Sequence, residues 1–239
     1  MKSEPCTMPA KVAIIGAGFV GSTAAYALML DGLVSEIALI DINKSKAEGE
    51  ALDLRHGMQF TKSTKIWAGD SFELVKGASI IVLCAGVNQK QGETRSDLLK
   101  KNVAIFKEMV PKIVEHNSDA ILLVVTNPLD ILTYVTWKLS GLPTCRVFGT
   151  GTVLDTSRLR YLLSRHFKVS AKDITAYMLG EHGDTEFPWW SGANIAGVPL
   201  KKFKESSPGV MDKIHKDVCN VVYEVIEKKG ATYYAIALV

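Results

Sequence analysis

The sequence predicts a doubly wound parallel α/β sheet followed by a second, mixed α+β domain, and three observations carry that reading. An apolar run of strand length, residues 12–15, breaks directly into Gly16-x-Gly18-x-x-Gly21 and then into a helical stretch, 22–30. Apolar runs then alternate with helical patterns as far as Thr150. Beyond Thr150 the alternation stops, which divides the chain into residues 1–149 and 150–239.

The glycines have separate physical jobs. One lets the chain turn sharply, the next lets the backbone approach a pyrophosphate, and the third lets the helix pack on its strand. The second apolar run, 37–40, ends at Asp41, 20 residues after Gly21. A carboxylate there accepts hydrogen bonds from an adenine-ribose diol and repels a 2′-phosphate, so the expected cofactor is NAD and not NADP.

Residues 44–56, rich in Ala, Glu, Lys and Leu, read as a helix, 65–68 as a third strand and 72–75 as one helical turn. The run 78–85 is apolar throughout, as suits a strand covered on both faces. Leu99, Val103, Phe106, Val110 and Ile113 mark a helix over 97–116, which Pro111 is expected to bend or interrupt. Residues 120–126 and 146–150 complete six strands, with a helix at 130–139 between them. In the second domain, 153–166 is helical and 173–179 strand-like, and 186–200, with Pro188, Gly192, Gly197 and Pro199, is irregular or a hairpin. The stripe Val210, Ile214, Val218, Val221 and Val225 makes 210–226 an amphipathic helix, and 231–239 reads as a further apolar helical segment.

The bulk composition narrows the function. A formal charge of +3 comes from 28 basic and 25 acidic residues scattered along the chain, so no basic block argues for nucleic acid or a membrane surface. Cys6, Cys84, Cys145 and Cys219 stand far apart, which suggests neither a zinc site nor a disulfide framework but free thiols in a reducing compartment. With no signal-like or membrane-length apolar run, the expectation is a soluble, cytoplasmic protein without a metal.

Four segments combine polar groups beyond what solubility asks. The loop Gly86 to Arg95, which includes Gln89, follows the fourth strand, where ligands meet doubly wound sheets. Thr126-Asn127-Pro128 ends the fifth strand, and Asn127 can both donate and accept hydrogen bonds. Asp155 and Arg158 share a helix face, a spacing that usually describes a surface pair of little energy. His182 lies in Gly180-Glu181-His182-Gly183-Asp184, and a lone histidine is more often structural than catalytic.

Taken in order, the glycine fingerprint, Asn-Gln-x-x-Gly-Glu-Thr-Arg, Thr-Asn-Pro, Leu-Asp-Thr-Ser-Arg and Gly-Glu-His-Gly-Asp closely resemble the L-lactate dehydrogenases of the lactate/malate dehydrogenase family, from about Lys11 to the last residue. The resemblance implies a Rossmann fold and hydride transfer between NADH and a small 2-oxo acid. It makes His182 the proton donor and acceptor, Asp155 the group that orients it, Arg158 the grip on the substrate carboxylate and Arg95 the polariser of the carbonyl. Gln89 stands where malate dehydrogenases of this type carry arginine, so pyruvate and lactate are expected over oxaloacetate. Asn127 resembles a contact to both substrate and nicotinamide. Val20, Lys46, Gly86 and Val125, with Gly16, Gly18, Gly21 and Asp41, resemble dinucleotide contacts, and Thr232 and Ile236 resemble the residues that close the pocket. Arg160 matches the arginine that binds fructose 1,6-bisphosphate in allosteric members, while Thr175 replaces its histidine partner, so weak or no activation is expected.

The family also suggests a homo-oligomer, a homotetramer. Its chains continue past Val239, so the second domain is expected to be incomplete, with part of its apolar surface uncovered. Malate dehydrogenase, and an NAD-binding fragment without turnover, are the alternative expectations.

Overall fold

The computed structural model describes residues 10–87 and 94–239, with Arg95 described in its backbone only. The chain divides into two compact units, one ending at Gly149 and the other formed by Thr150–Ala237.

The first unit is a six-stranded parallel sheet: β1 (Lys11–Ile15), β2 (Glu36–Ile40), β3 (Lys65–Gly69), β4 (Ala78–Leu83), β5 (Ile121–Val124) and β6 (Val147–Gly149). The strands lie in the order β3-β2-β1-β4-β5-β6, so the winding reverses between β1 and β4. Four helices cover the sheet: α1 (Phe19–Asp31), α2 (Lys44–His56), α3 (Arg95–His116) and α4 (Leu129–Ser140). The period of two along β1 explains why both faces need cover. Val12 and Ile14 pack with Ala25 and Met29 of α1 and Ala47 and Ala51 of α2. Ala13 and Ile15 belong to the opposite core with Phe106 and Val110 of α3 and Leu132 of α4.

Of the bend or interruption expected at Pro111, the interruption is absent: α3 continues to His116. Proline deprives the carbonyl four residues back, on Lys107, of its donor. Lys107 and Pro111 are both exposed, so water can take that carbonyl. Phe106, Val110 and Ile113, fully buried, hold the helix on either side.

The second unit is built on α5 (Val153–Phe167) and α6 (Pro208–Lys229), with short strands β7 (Ile174–Thr175), β8 (Met178–Leu179), β9 (Phe187–Pro188), β10 (Asn194–Ile195) and β11 (Val198–Pro199). Leu159, Leu163, Ile174, Met178, Ile214 and Val218 form its core. The single strand expected over 173–179 is two, and they belong to different sheets: β7 pairs with β10, β8 with β9. Side chains of α5 take backbone groups at the break. Thr156 Oγ1 accepts the Met178 N–H at 2.9 Å, and Arg160 Nε–H donates to the Ala176 carbonyl at 3.0 Å. Within the stretch expected to be irregular or a hairpin, β10 and β11 turn through Ala196 and Gly197, both at positive φ, which matches the right-handed twist of a two-residue hairpin.

The helix expected over 231–239 is also absent. It follows Gly230, a left-handed C-cap, and contains one 3-10 turn, Ile236–Leu238. None of these residues is buried, so no packed face holds a helix there. Among the described residues, no helix is long and apolar enough to cross a membrane.

Pro111→Ala is expected to raise the urea midpoint, since it restores the Lys107 hydrogen bond. The net gain should be roughly 1–2 kcal/mol after the unfolded-state entropy that proline removed is given back. An unchanged or lower midpoint would show that the proline is accommodated without cost.

Candidate functional site

In the first unit the polar groups gather at the carboxyl ends of β1, β4 and β5, beside the point where the winding reverses. Two of the three glycines are demanded by the fold itself. Gly16 has φ +107°, and a Cβ there would lie 2.6 Å from the Ala85 nitrogen; a Cβ on Gly21 would meet the Gly16 carbonyl oxygen at 1.9 Å. Gly18 has φ −78° and open space within 4 Å of such a Cβ, so nothing among the described residues requires glycine there. It is the N-cap of α1 and offers no side-chain cap, which leaves the first-turn N–H groups for a phosphate.

Asp41 ties this turn to the end of β2: its Oδ2 accepts the Ala17 N–H at 2.7 Å and its Oδ1 the Asn43 N–H at 2.9 Å. Each oxygen keeps a second lone pair, the acceptor capacity a ribose diol needs. Val20 lies on the first turn of α1, partly buried, and Lys46 is exposed on the first turn of α2. Gly86 follows β4 closely enough that a Cβ would meet Thr126 Cγ2 at 2.5 Å. Val125 donates its N–H to the Leu83 carbonyl at 3.0 Å. Asn102, fully buried on α3, joins these strand ends: its Nδ2 donates to the Asn127 carbonyl at 2.8 Å and its Oδ1 accepts the Val87 N–H at 2.9 Å. Sequence reading passed over Asn102, although an asparagine in the stripe Leu98-Asn102-Phe106 is a visible exception to an apolar face. Gln89 and the side chain of Arg95 lie outside the described residues.

In the second unit the geometry is tighter. His182 Nδ1–H donates to Asp155 Oδ2 at 2.6 Å, and Arg158 donates from a terminal nitrogen to Asp155 Oδ1 at 2.9 Å. The Asp155 side chain is 2% exposed and that of Arg158 15%, so this is a buried pair and not the surface pair its spacing suggests. Burial pushes the Asp155 carboxyl up, but the hydrogen bond and charge of His182 outweigh it and hold the group below its ordinary range. The same bond raises His182 above its ordinary 6.5 against the opposing effect of burial. Buried Glu186 completes the group: one atom each of Asp155, His182 and Glu186 lie within 4.8 Å of one another. That spacing would admit a metal ion, but the Arg158 guanidinium already supplies positive charge at Asp155. Glu186 escaped the sequence reading because no periodic rule relates residues four apart in a loop. Thr232 and Ile236 are partly exposed in the stretch after α6. Arg160, besides its bond to Ala176, lies 5.0 Å from the Tyr177 ring centroid.

Comparison with known proteins decides the family. Residues 10–149 match the profile of the lactate/malate dehydrogenase NAD binding domain, and residues 152–239 that of the family's alpha/beta C-terminal domain. The chain belongs to the lactate/malate dehydrogenase family. It is 56% identical over 233 residues to the L-lactate dehydrogenase of Acetivibrio thermocellus, spanning 95% of this chain and 73% of that one. It is 54% identical to L-lactate dehydrogenase 1 of Clostridium acetobutylicum, spanning 95% and 74%. Among solved structures it superposes on a lactate dehydrogenase from a Medee basin deep-sea metagenome library with a TM-score of 0.92 at 46% identity, covering 97% of this chain and 75% of that one. The minor L-lactate dehydrogenase of Enterococcus mundtii gives 0.93 at 42% identity, with the same coverage.

NAD is therefore the cofactor, and the cradle around Gly18, the uncapped start of α1 and the Asp41 carboxylate suit its pyrophosphate and ribose. The glycines separate experimentally. Gly18→Ala should leave thermal unfolding unchanged while weakening NADH binding roughly tenfold or more. Gly21→Ala should cost at least ~1–3 kcal/mol of stability. NADH fluorescence titration beside thermal denaturation checks both, and a Gly18→Ala chain that bound NADH normally would move the pyrophosphate elsewhere.

Proposed function

We propose that the chain is an NAD-dependent L-lactate dehydrogenase that interconverts pyruvate and L-lactate. The observation that carries the reading is the buried Asp155 carboxylate gripped on one oxygen by His182 and on the other by Arg158. Relatives above 50% identity bearing that name support the choice of substrate.

The chemistry follows from the donors. Bound NADH supplies a hydride to the keto carbon, and the chain's residues must bind, orient and protonate. With Nδ1–H committed to Asp155, the imidazole exchanges its proton at Nε2, and the aspartate's charge stabilises the imidazolium that pyruvate reduction consumes. A guanidinium carries five N–H donors, of which Asp155 takes one, so Arg158 retains an edge for a bidentate carboxylate. Arg95 is assigned to the developing alkoxide and Gln89 to the methyl end, where a neutral side chain leaves no counter-charge for a second carboxylate. Asn127 is assigned to the nicotinamide and substrate, Thr232 and Ile236 to the pocket wall, and Val20, Lys46, Gly86 and Val125 to the dinucleotide. We place the enzyme in the cytoplasm as a homotetramer, the assembly the family resemblance suggests.

An assay of NADH oxidation with pyruvate and with oxaloacetate tests the whole reading. Faster oxaloacetate reduction would make the chain a malate dehydrogenase, and NADH binding without oxidation would make it a fragment without turnover. His182→Gln is expected to lower kcat/KM for pyruvate by about 10²–10⁴-fold, and Arg158→Lys to raise the pyruvate KM because the fork is lost. The pH dependence has a definite sign. His182 is raised above 6.5, so pyruvate reduction should hold through neutral pH and fall on the alkaline side. In Asp155→Asn that midpoint should move down, because the group that raises it is gone.

A further inference from the structure

Glu186 is 4% exposed, four residues beyond His182. Its Oε1 accepts a long S–H contact from Cys219 at 3.8 Å, while its Oε2 is buried with no hydrogen-bond partner among the described residues. An ionised carboxylate with an orphaned buried oxygen is unfavourable, whereas a carboxylic acid is a donor as well as an acceptor and needs only an acceptor nearby. The carboxylate in reach is that of Asp155: it, the His182 ring and the Glu186 carboxyl come within 4.8 Å of one another, and the Asp155 and Glu186 carboxyls shift each other, Asp155 down and Glu186 up. Two carboxyls this close do not both ionise readily, and Arg158 and His182 already hold Asp155 in its charged form.

Resting on the proton-exchange role given to His182, we propose that Glu186 is a positioning residue for the His182–Asp155 pair. As a neutral acid its O–H donates to Asp155; on ionising, with its proton lost to water, it places a second negative charge beside the imidazolium and keeps His182 protonated to higher pH. The charged and titratable groups around it support this balance. Asp155 and Arg158 come from α5, His182 and Asp184 from the preceding loop, and His215, Cys219 and Tyr223 from α6. His215 Nε2–H donates to the Glu186 backbone carbonyl at 3.1 Å, and Tyr223 donates its O–H to Asp184 at 3.2 Å, so neither serves the Glu186 carboxyl in those bonds. Burial first, and then Asp155, push the Glu186 carboxyl from 4.5 up to about 7, into the range where His182 operates.

Glu186→Gln tests the inference, because the amide keeps a donor for Asp155 but cannot ionise. The alkaline midpoint of pyruvate reduction and the acidic midpoint of lactate oxidation should both fall, by about one pH unit, relative to wild type. A merely structural lesion would lower both rates and move neither midpoint, and unmoved midpoints in a folded, active Glu186→Gln chain overturn the proposal. A wild-type chain that does not turn over pyruvate would sink the lactate dehydrogenase reading separately. The proposal is then decided by NMR titration of the His182 imidazole, assigned with His182→Gln. Wild type should titrate in two coupled steps and Glu186→Gln in one, at lower pH. If Glu186→Gln does not fold, the wild-type curve alone decides, and a single-step titration overturns the proposal.

Discussion

Asp155 is a charge in the wrong solvent. A carboxylate taken out of water loses several kcal/mol of hydration, and it persists only where donors replace the water on both oxygens. Arg158 at 2.9 Å and His182 at 2.6 Å do so, and its place in the first turn of α5 adds the favourable end of the helix dipole. The second unit is arranged to keep those groups in register. Leu159 and Leu163, fully buried on the same helix, fix α5 against Ile214 and Val218 of α6. Thr156 and Arg160 attach the helix to the backbone at Met178 and Ala176, from which the chain runs on to His182.

The first unit solves a different problem by different means. Its ligand-facing end depends on backbone, not on charged side chains. Gly16 turns at positive φ against Ala85, and Gly21 lets α1 close on that turn. Asp41 and Asn102 then pin the loop ends with hydrogen bonds to main-chain groups. A substitution that adds volume is felt at Gly16 or Gly21 as a clash within the chain. At Gly18 it would meet no described residue. The three glycines of one fingerprint therefore fail in different assays, although the motif treats them alike.

How much was legible in the residues varies in the same way. Where one local rule decides an element, the pattern sufficed: α2 begins and ends where its composition places it, at Lys44 and His56, and the six apolar runs are the six strands. It failed where tertiary partners compete with the local rule. Thr156 and Arg160 split the strand expected over 173–179 by taking its middle backbone groups, and no feature of that segment announces a helix bonding to it. Pro111 is tolerated because its face is wet, a property of the neighbouring packing and not of proline. In the site, Asp155, Arg158 and His182 were found through the company their motifs keep. Asn102 and Glu186 do comparable structural work outside any motif, and only burial with unmet or shared hydrogen bonds brings them into view.

That contrast bears on the proton chemistry. A histidine held by one ionised aspartate would have its affinity for a proton fixed once by geometry. Here a second carboxyl shares the same enclosure, so the charge felt by His182 depends on where the protons of all three groups lie, and the apparent midpoints belong to the cluster and not to any one residue. Arg158 limits the range of that adjustment. Its guanidinium never gives up its charge, so Asp155 remains the fixed anion around which the other two exchange. Arg158, proposed to bind the substrate carboxylate, thus also helps hold Asp155 ionised beside His182, which ties the proposed substrate grip to the same buried contact.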